Sequence, residues 1–316
     1  MFQTFVNGPI NIIRSCVHFR RKDLRGQWYL WLAVRRWGLL LLMGGAMPWA
    51  AQAGEPRVII YPLAELNTQA QAFYPVRLLE EALARSGAHY RARASGVSML
   101  QGRALRQLEE AQGIDVMWSM TSVAREAKLL PIRIPIYKGL ISWRLFLIHE
   151  SQAVRFNQIK DLASLKQRVA GQVHDWPDKQ ILQANGFSVY GSSTYGSLFR
   201  MLAQKRIDYF PRSLIEIWDE AAQHQAAGLM VEPSFLIRYP SASYFFVRRG
   251  DHALAEALSQ GLEMMIQDGS FDRLFMEFHG NLIKKAAIED LVIFDLDNPT
   301  LPPKTPLNRK ELWFRE

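Results

Sequence analysis

From residue 57 onward, short apolar runs alternate with longer stretches whose apolar positions recur every three or four residues. "RVIIY" (57–61) predicts a strand ended by Pro62. In "YPVRLLEEALARSG", Val76, Leu79, Ala82 and Leu83 share one helical face, Pro75 suits the first turn and Gly87 the stop. "HYRARAS" alternates as a second strand, "SMLQGRALRQLEEAQG" reads as an amphipathic helix, and "IDVMWSM" (114–120) as a third strand. "ISWRLFLIHE" and "QRVAGQV" are further strands around a short helix, "IKDLASLK". "STYGSLFRMLAQKR" is helical behind a Ser/Thr cap, and "IDYFPRS" is a strand cut by Pro211. "ASYFFVRRGD" precedes two closing helices, "HALAEALSQGLEMMIQDG" and "FDRLFMEFHG", and from Asp295 the Pro- and Asn-rich "DLDNPTLPPKTPLNRK" predicts an irregular tail. The β-α-β-α-β order predicts an α/β fold in which helices cover a parallel sheet.

The first 53 residues do not fit this pattern. Arg14, Arg20, Arg21, Lys22, Arg25, Arg35 and Arg36 stand against one acid, Asp23, and precede the apolar "WGLLLLMGGAM" and the small-residue "AQA". This order is that of a signal peptide, with cleavage expected after Ala53 and delivery to the periplasm. The apolar run is shorter than the ~20 residues a spanning helix needs. Removing seven cations and one acid brings the formal charge from +8 to +2, so the basic balance belongs to the leader and argues against nucleic-acid binding. The single cysteine, Cys16, is also in the leader, which leaves the remainder without a disulfide or a thiolate site. The scattered histidines give no metal-ligand spacing, no nucleotide fingerprint is present, and no cofactor is expected.

Three segments carry a resemblance. "GIDVMWSMTSVAREAKLLPIRIPIYKGL", "IKDLASLKQRVAGQV" with "LFRMLAQKRIDYF", and "YFFVRRGDHALAEALSQGLEMMIQDGSFDRLFMEFHG" are similar, in order and spacing, to stretches of the family 3 extracytoplasmic solute-binding proteins, the amino-acid-type periplasmic binding proteins of ABC importers. The resemblance covers nearly all of residues 57–280. It implies a two-lobed type II periplasmic-binding-protein-like α/β fold, with two mixed sheets flanked by helices and joined by two hinge strands. Lobe one would be residues 55–138 with 240–316, including a C-terminal tail (295–316) packed on it, and lobe two residues 139–239. The hinges would fall near Tyr137-Lys138-Gly139 and Tyr239-Pro240-Ser241.

In open α/β sheets ligands meet the carboxyl ends of strands, where Ser119, Thr121 and Ser122 sit before a helix start. Those hydroxyls serve equally well as helix caps. Family members hold the ligand carboxylate with an arginine in this helix; aligned on Met120-Thr121, that position is Glu126, with Arg125 one residue early and rotated by about 100°. The acid that usually meets the ligand ammonium falls on Ser213. In place of this clamp the chain offers His174, Asp175 and Trp176 in one loop, the aromatic residues Tyr61, Tyr74, Trp118 and Tyr195, and Arg212 at a strand end. Each aromatic residue is also a candidate for the core, and Arg212 for an internal ion pair.

The expected activity is non-catalytic capture of an anionic or aromatic, amino-acid-like solute by a monomer that presents it to an ABC importer permease. Two alternatives remain: a periplasmic sensing partner of a membrane signalling protein, and a dehydratase-like enzyme on the same fold, using His174 with Asp175, or Asp178, as acid and base.

Overall fold

Three sheets take up the strands, where two mixed sheets were expected: one of seven strands and two smaller ones of two and three. The computed structural model describes residues 55–63 and 69–315, so the expected leader and Cys16 lie outside the described residues. The first elements are β1 (Arg57–Leu63), α1 (Gln69–Arg85), β2 (Tyr90–Ser98), α2 (Gln101–Glu109), β3 (Val116–Met120), α3 (Val123–Lys128) and β4 (Leu129–Ile132). The middle consists of β5 (Trp143–His149), α4 (Ala153–Phe156), α5 (Leu162–Lys166), β6 (Val169–Val173), α6 (Pro177–Ala184), β7 (Ser188–Ser192), α7 (Tyr195–Ala203), β8 (Tyr209–Ser213), α8 (Ile217–Gln223), β9 (Leu229–Val231) and β10 (Phe235–Arg238). β11 (Ser243–Arg248), α9 (His252–Gln267), α10 (Ser270–Ala286) and β12 (Val292–Asp295) follow.

β1 and β2 pair in parallel, as the β-α-β order predicts. β3 departs from that expectation, because its ladder partner is β11, running antiparallel with Phe245 opposite Trp118. β4 takes the other side of β11, with Phe246 opposite Pro131. The fully buried run Tyr244–Val247 thus sits between two strands in a three-stranded sheet. A buried apolar run reads alike whichever neighbour it has, so periodicity could not distinguish this arrangement from a parallel one.

The middle of the chain builds a seven-stranded mixed sheet in the order β12-β10-β5-β8-β6-β7, with β9 also on β5. Leu145, Phe146, Leu147 and Ile148 of β5 are fully or almost fully buried, and the Phe146 ring lies 5.0 Å from Tyr209 and 5.4 Å from Phe235. Pro211 does not cut β8: it pairs opposite Phe146 on β5. On the other side β6 meets β8 in register only at Ala170 and Tyr209, so the missing proline N–H falls beyond that ladder.

The chain passes from the small sheets to the large one through residues 133–142 and returns through 239–242. At the first crossing Lys138 (φ 49°) and Gly139 (φ 82°) are left-handed; the latter is where glycine removes the steric penalty. The C-terminal segment, expected to pack on the residues around 55–138, also joins the large sheet. β12 pairs in parallel with β10 in the large sheet, and Asp297 exchanges two hydrogen bonds with Asn185 at the end of α6 (2.7 and 3.1 Å). An exposed edge on β10 draws the segment there, since its unpaired backbone groups need partners.

Candidate functional site

The carboxyl end of β3 faces the loop between β6 and α6 across a cavity of about 420 Å³. The β3 wall brings Met117, Trp118, Ser119 and Met120. Trp118 is half-buried and stands edge-on to Phe245 at 6.3 Å, so one face of the indole is held by the core. Ser122 caps α3 by accepting the Arg125 N–H at 3.2 Å, and the Thr121 hydroxyl donates to Glu126 at 2.8 Å. Those two hydroxyls serve the helix terminus.

Arg125 is engaged from several sides. Its guanidinium donates to the Ser119 hydroxyl (2.5 Å) and the Met120 carbonyl (2.7 Å), to Gln101 Oε1 (2.9 Å), and across the cleft to the Asp175 carbonyl (3.2 Å). Burial lowers its pKa to about 10 despite the nearby Asp175 and Asp178 carboxylates. The one-residue offset from the family position therefore turns this side chain into a bridge between walls, and it does not line the cavity.

On the facing wall, the His174 N–H donates to the Ser192 carbonyl (2.8 Å), and its ring Nδ1 lies 3.1 Å from the same oxygen. The Asp175 carboxylate packs on Gly102 in the first turn of α2, where an added Cβ would push the acid aside. Trp176 precedes Pro177, which starts α6. Its indole lies 5.1 Å from the Arg212 guanidinium, and the Tyr195 and Phe210 rings lie 5.3 and 5.1 Å from the same group.

Below these rings runs a buried chain of alternating charge. Tyr239 and Arg144 both donate to Asp178 Oδ1, and Arg144 Nε donates to the Tyr239 hydroxyl at 3.2 Å. Arg144 Nη1 stands 3.7 Å from Glu216, whose same oxygen is 3.0 Å from Arg212 Nη2. Arg212 then grips Glu220 through Nε (2.7 Å) and Nη2 (2.6 Å), and the Tyr195 hydroxyl donates to Glu220 at 2.7 Å. Two guanidiniums face three carboxylates, an excess of one negative charge with all of them ionised. Glu216 is the most accessible member, its side chain 18% exposed against 2–3% for the others. Burial raises its pKa, with Arg212 opposing.

Of the residues singled out by sequence, Trp118, Ser119, His174, Asp175, Trp176, Tyr195 and Arg212 line this one cavity. Tyr61, Tyr74, Thr121 and Arg125 do not. Tyr61 packs 6.1 Å from Trp118, while Tyr74 is buried among Tyr137, Phe275 and His279 and donates to the Ile136 carbonyl at 2.7 Å. Arg212 makes the internal ion pairs that were its alternative role. Arg144 and Glu216 were missed. For Arg144 there was a signal, a lone cation in the apolar run "ISWRLFLIHE"; for Glu216 there was none, because α8 is too short to display a face. Among the described residues no group of three or more His, Cys, Asp or Glu is placed to hold a metal ion.

No family model matches the sequence, and no curated protein matches it. Solved structures do. An ancestral arginine-binding protein bound to arginine superposes with a TM-score of 0.54 at 15% identity, covering 71% of this chain and 99% of its own. A histidine kinase sensor domain with similarity to periplasmic binding proteins gives 0.55 at 16% identity, covering 72% and 97%. A periplasmic His/Glu/Gln/Arg/opine family-binding protein from Silicibacter pomeroyi, in complex with lysine, gives 0.53 at 11% identity, covering 71% and 97%. The described chain therefore has the α/β periplasmic-binding-protein-like fold that these binding proteins and the sensor domain share.

Proposed function

We propose that the protein is a periplasmic solute-binding protein whose two lobes, residues 55–138 with 240–316 and residues 139–239, close over one small amino-acid-like molecule and present it to a membrane partner. The observation that carries this reading is the cavity of about 420 Å³ with walls from both sides of the two chain crossings, a size within the usual range for small-ligand sites. An anionic ligand held by Arg125 or Arg212 is disfavoured, because both guanidiniums already have protein partners. An aromatic or apolar body fits between Trp118 and Trp176. An ammonium group on the ligand would find a partner in the Glu216 carboxylate, and a carboxylate would turn toward Arg103 and Arg106, which line the cavity from α2 and are exposed.

The partner is an ABC importer permease in the first reading and a membrane signalling protein in the second. The likeness to a histidine kinase sensor domain favours giving the second equal standing. Thermal-shift screening of the purified protein against aromatic, cationic and acidic amino acids tests the site. A bound ligand at a hundred times its Kd stabilises by about 2.7 kcal/mol, and Glu216→Gln is expected to abolish the shift. If no amino-acid-like compound raises the melting temperature, solute capture is wrong; turnover of a hit would replace it by the enzyme reading.

A further inference from the structure

The C-terminal segment touches both crossings between the sheets. After β12 the Leu296 N–H donates to the Arg238 carbonyl at 2.8 Å, and Asp297 exchanges its two hydrogen bonds with Asn185. One residue later the Asn298 side chain donates to the Pro240 carbonyl at 2.8 Å, on the return crossing. The Thr300 carbonyl then accepts from the Val123 N–H at the start of α3 (3.2 Å), so three residues carry the segment from the large sheet to the small ones. Farther on, Arg309 grips Glu263 of α9 (Nη2–Oε2 2.9 Å). The segment ends on the first crossing. There the Trp313 ring lies on Gly139, where an added Cβ would be 2.7 Å from Cε3, and its indole N–H donates to the Pro306 carbonyl at 2.9 Å. The Phe314 N–H donates to the Lys138 carbonyl (2.8 Å) and its ring stands edge-on to Trp143 of β5 at 5.8 Å. Lys138 Nζ donates to the Glu311 carbonyl at 2.7 Å.

Hinge bending needs φ/ψ changes at a few residues, and here those at Lys138 and Gly139 are covered by Trp313 and Phe314. Opening would also strain the short span from Asp297 to Thr300, which is tied at both ends. We propose that residues 296–315 form a strap across both hinges that holds the two lobes near the closed arrangement and so raises the fraction of the chain ready to bind. The proposal rests on the two-lobe reading above. Because apparent affinity falls with the competent fraction, a strap of this kind tightens binding without touching the ligand.

Spin labels on Glu110→Cys and Gln180→Cys, in a Cys16→Ser background and without ligand, read the opening as a distance distribution. The double variant Trp313→Ala, Phe314→Ala is expected to shift that distribution to longer and broader distances. Should that variant lose its native circular dichroism, Asn185→Ala with Asn298→Ala, which frees the strap at exposed bonds, is expected to give the same shift. An unchanged distribution in a folded strap variant overturns the proposal. Arg125→Ala, which removes the cross-cleft bond to Asp175, separates the causes. If it lengthens the distance and the strap variants do not, the strap is wrong and the two lobes stand; if neither moves, the two-lobe reading fails with it.

Discussion

His279 illustrates what burial does to a single ionisable group. It is 7% exposed, ringed by Tyr74, Tyr137, Phe275 and Phe278, and neither ring nitrogen has a hydrogen-bond partner. Burial alone lowers its pKa from 6.5 to about 4. The unfolded chain therefore binds a proton that the folded chain refuses, and stability from this residue is complete above about pH 6.5 and lost as the pH falls toward 4. The full span is worth about 3 kcal/mol. His279→Phe is expected to flatten the melting temperature between pH 6.5 and 4 relative to the parent. Arg212 is the opposite case, a buried charge with partners. Arg212→Met removes the buried guanidinium that grips Glu220 and is expected to cost about 3–5 kcal/mol in denaturant unfolding, with much of the loss recovered by Arg212→Met combined with Glu220→Leu. If the single variant unfolds at the parent's midpoint, the ion-pair chain does not support the fold.

Elements are joined here by close backbone approaches that few residue types allow. Gly261 of α9 lies against the Ala82 backbone of α1 with no space for a Cβ, and both helices bury Leu78, Leu79, Leu254, Leu258 and Leu262 around this point. Gly261→Ala must push the helices apart and is expected to cost about 1–3 kcal/mol, read as a lower urea midpoint with native circular dichroism retained. The elements themselves were largely legible. β3, β5, β8, β11 and α9 all fall within the apolar runs that predict them, because burial on one face imposes a period that survives any partner; α1 begins five residues ahead of its run, so Pro75 lies inside the helix and not in its first turn. β7, β9, β10 and β12 were not recognised, and neither were α6 and α8. The strands are three to five residues long and the helices seven and eight, which leaves little period to read; β3 and β8, also five residues long, stood out only because the flanking residues extend their apolar runs.

At the scale of the whole molecule, the site belongs to no single segment. Trp118 from β3, Trp176 from the β6–α6 loop and Arg144 from β5 meet only because the chain passes back and forth between the sheets. The order of motifs pointed to the strand ends where the cavity lies, since parallel β-α units expose those ends together. It could not say which charges remain available to a ligand. Arg125 and Arg212 stood in the sequence as candidates either for the ligand or for partners within the protein, and each is taken by groups from other elements, Gln101 and Asp175 for one, Glu216 and Glu220 for the other.

The chain by itself determined which stretches are strands and helices wherever the apolar period was long enough, and that polar and aromatic groups gather at the end of β3. Strand neighbours, the closing of Arg212 on Glu220, the bridging of the two walls by Arg125 and the path of the C-terminal segment across both crossings were decided only by tertiary packing. The physical reason is that periodicity is a property of one segment against a generic core. A hydrogen bond or an ion pair is a property of two segments, and a single one-residue rotation of a helix decides which two.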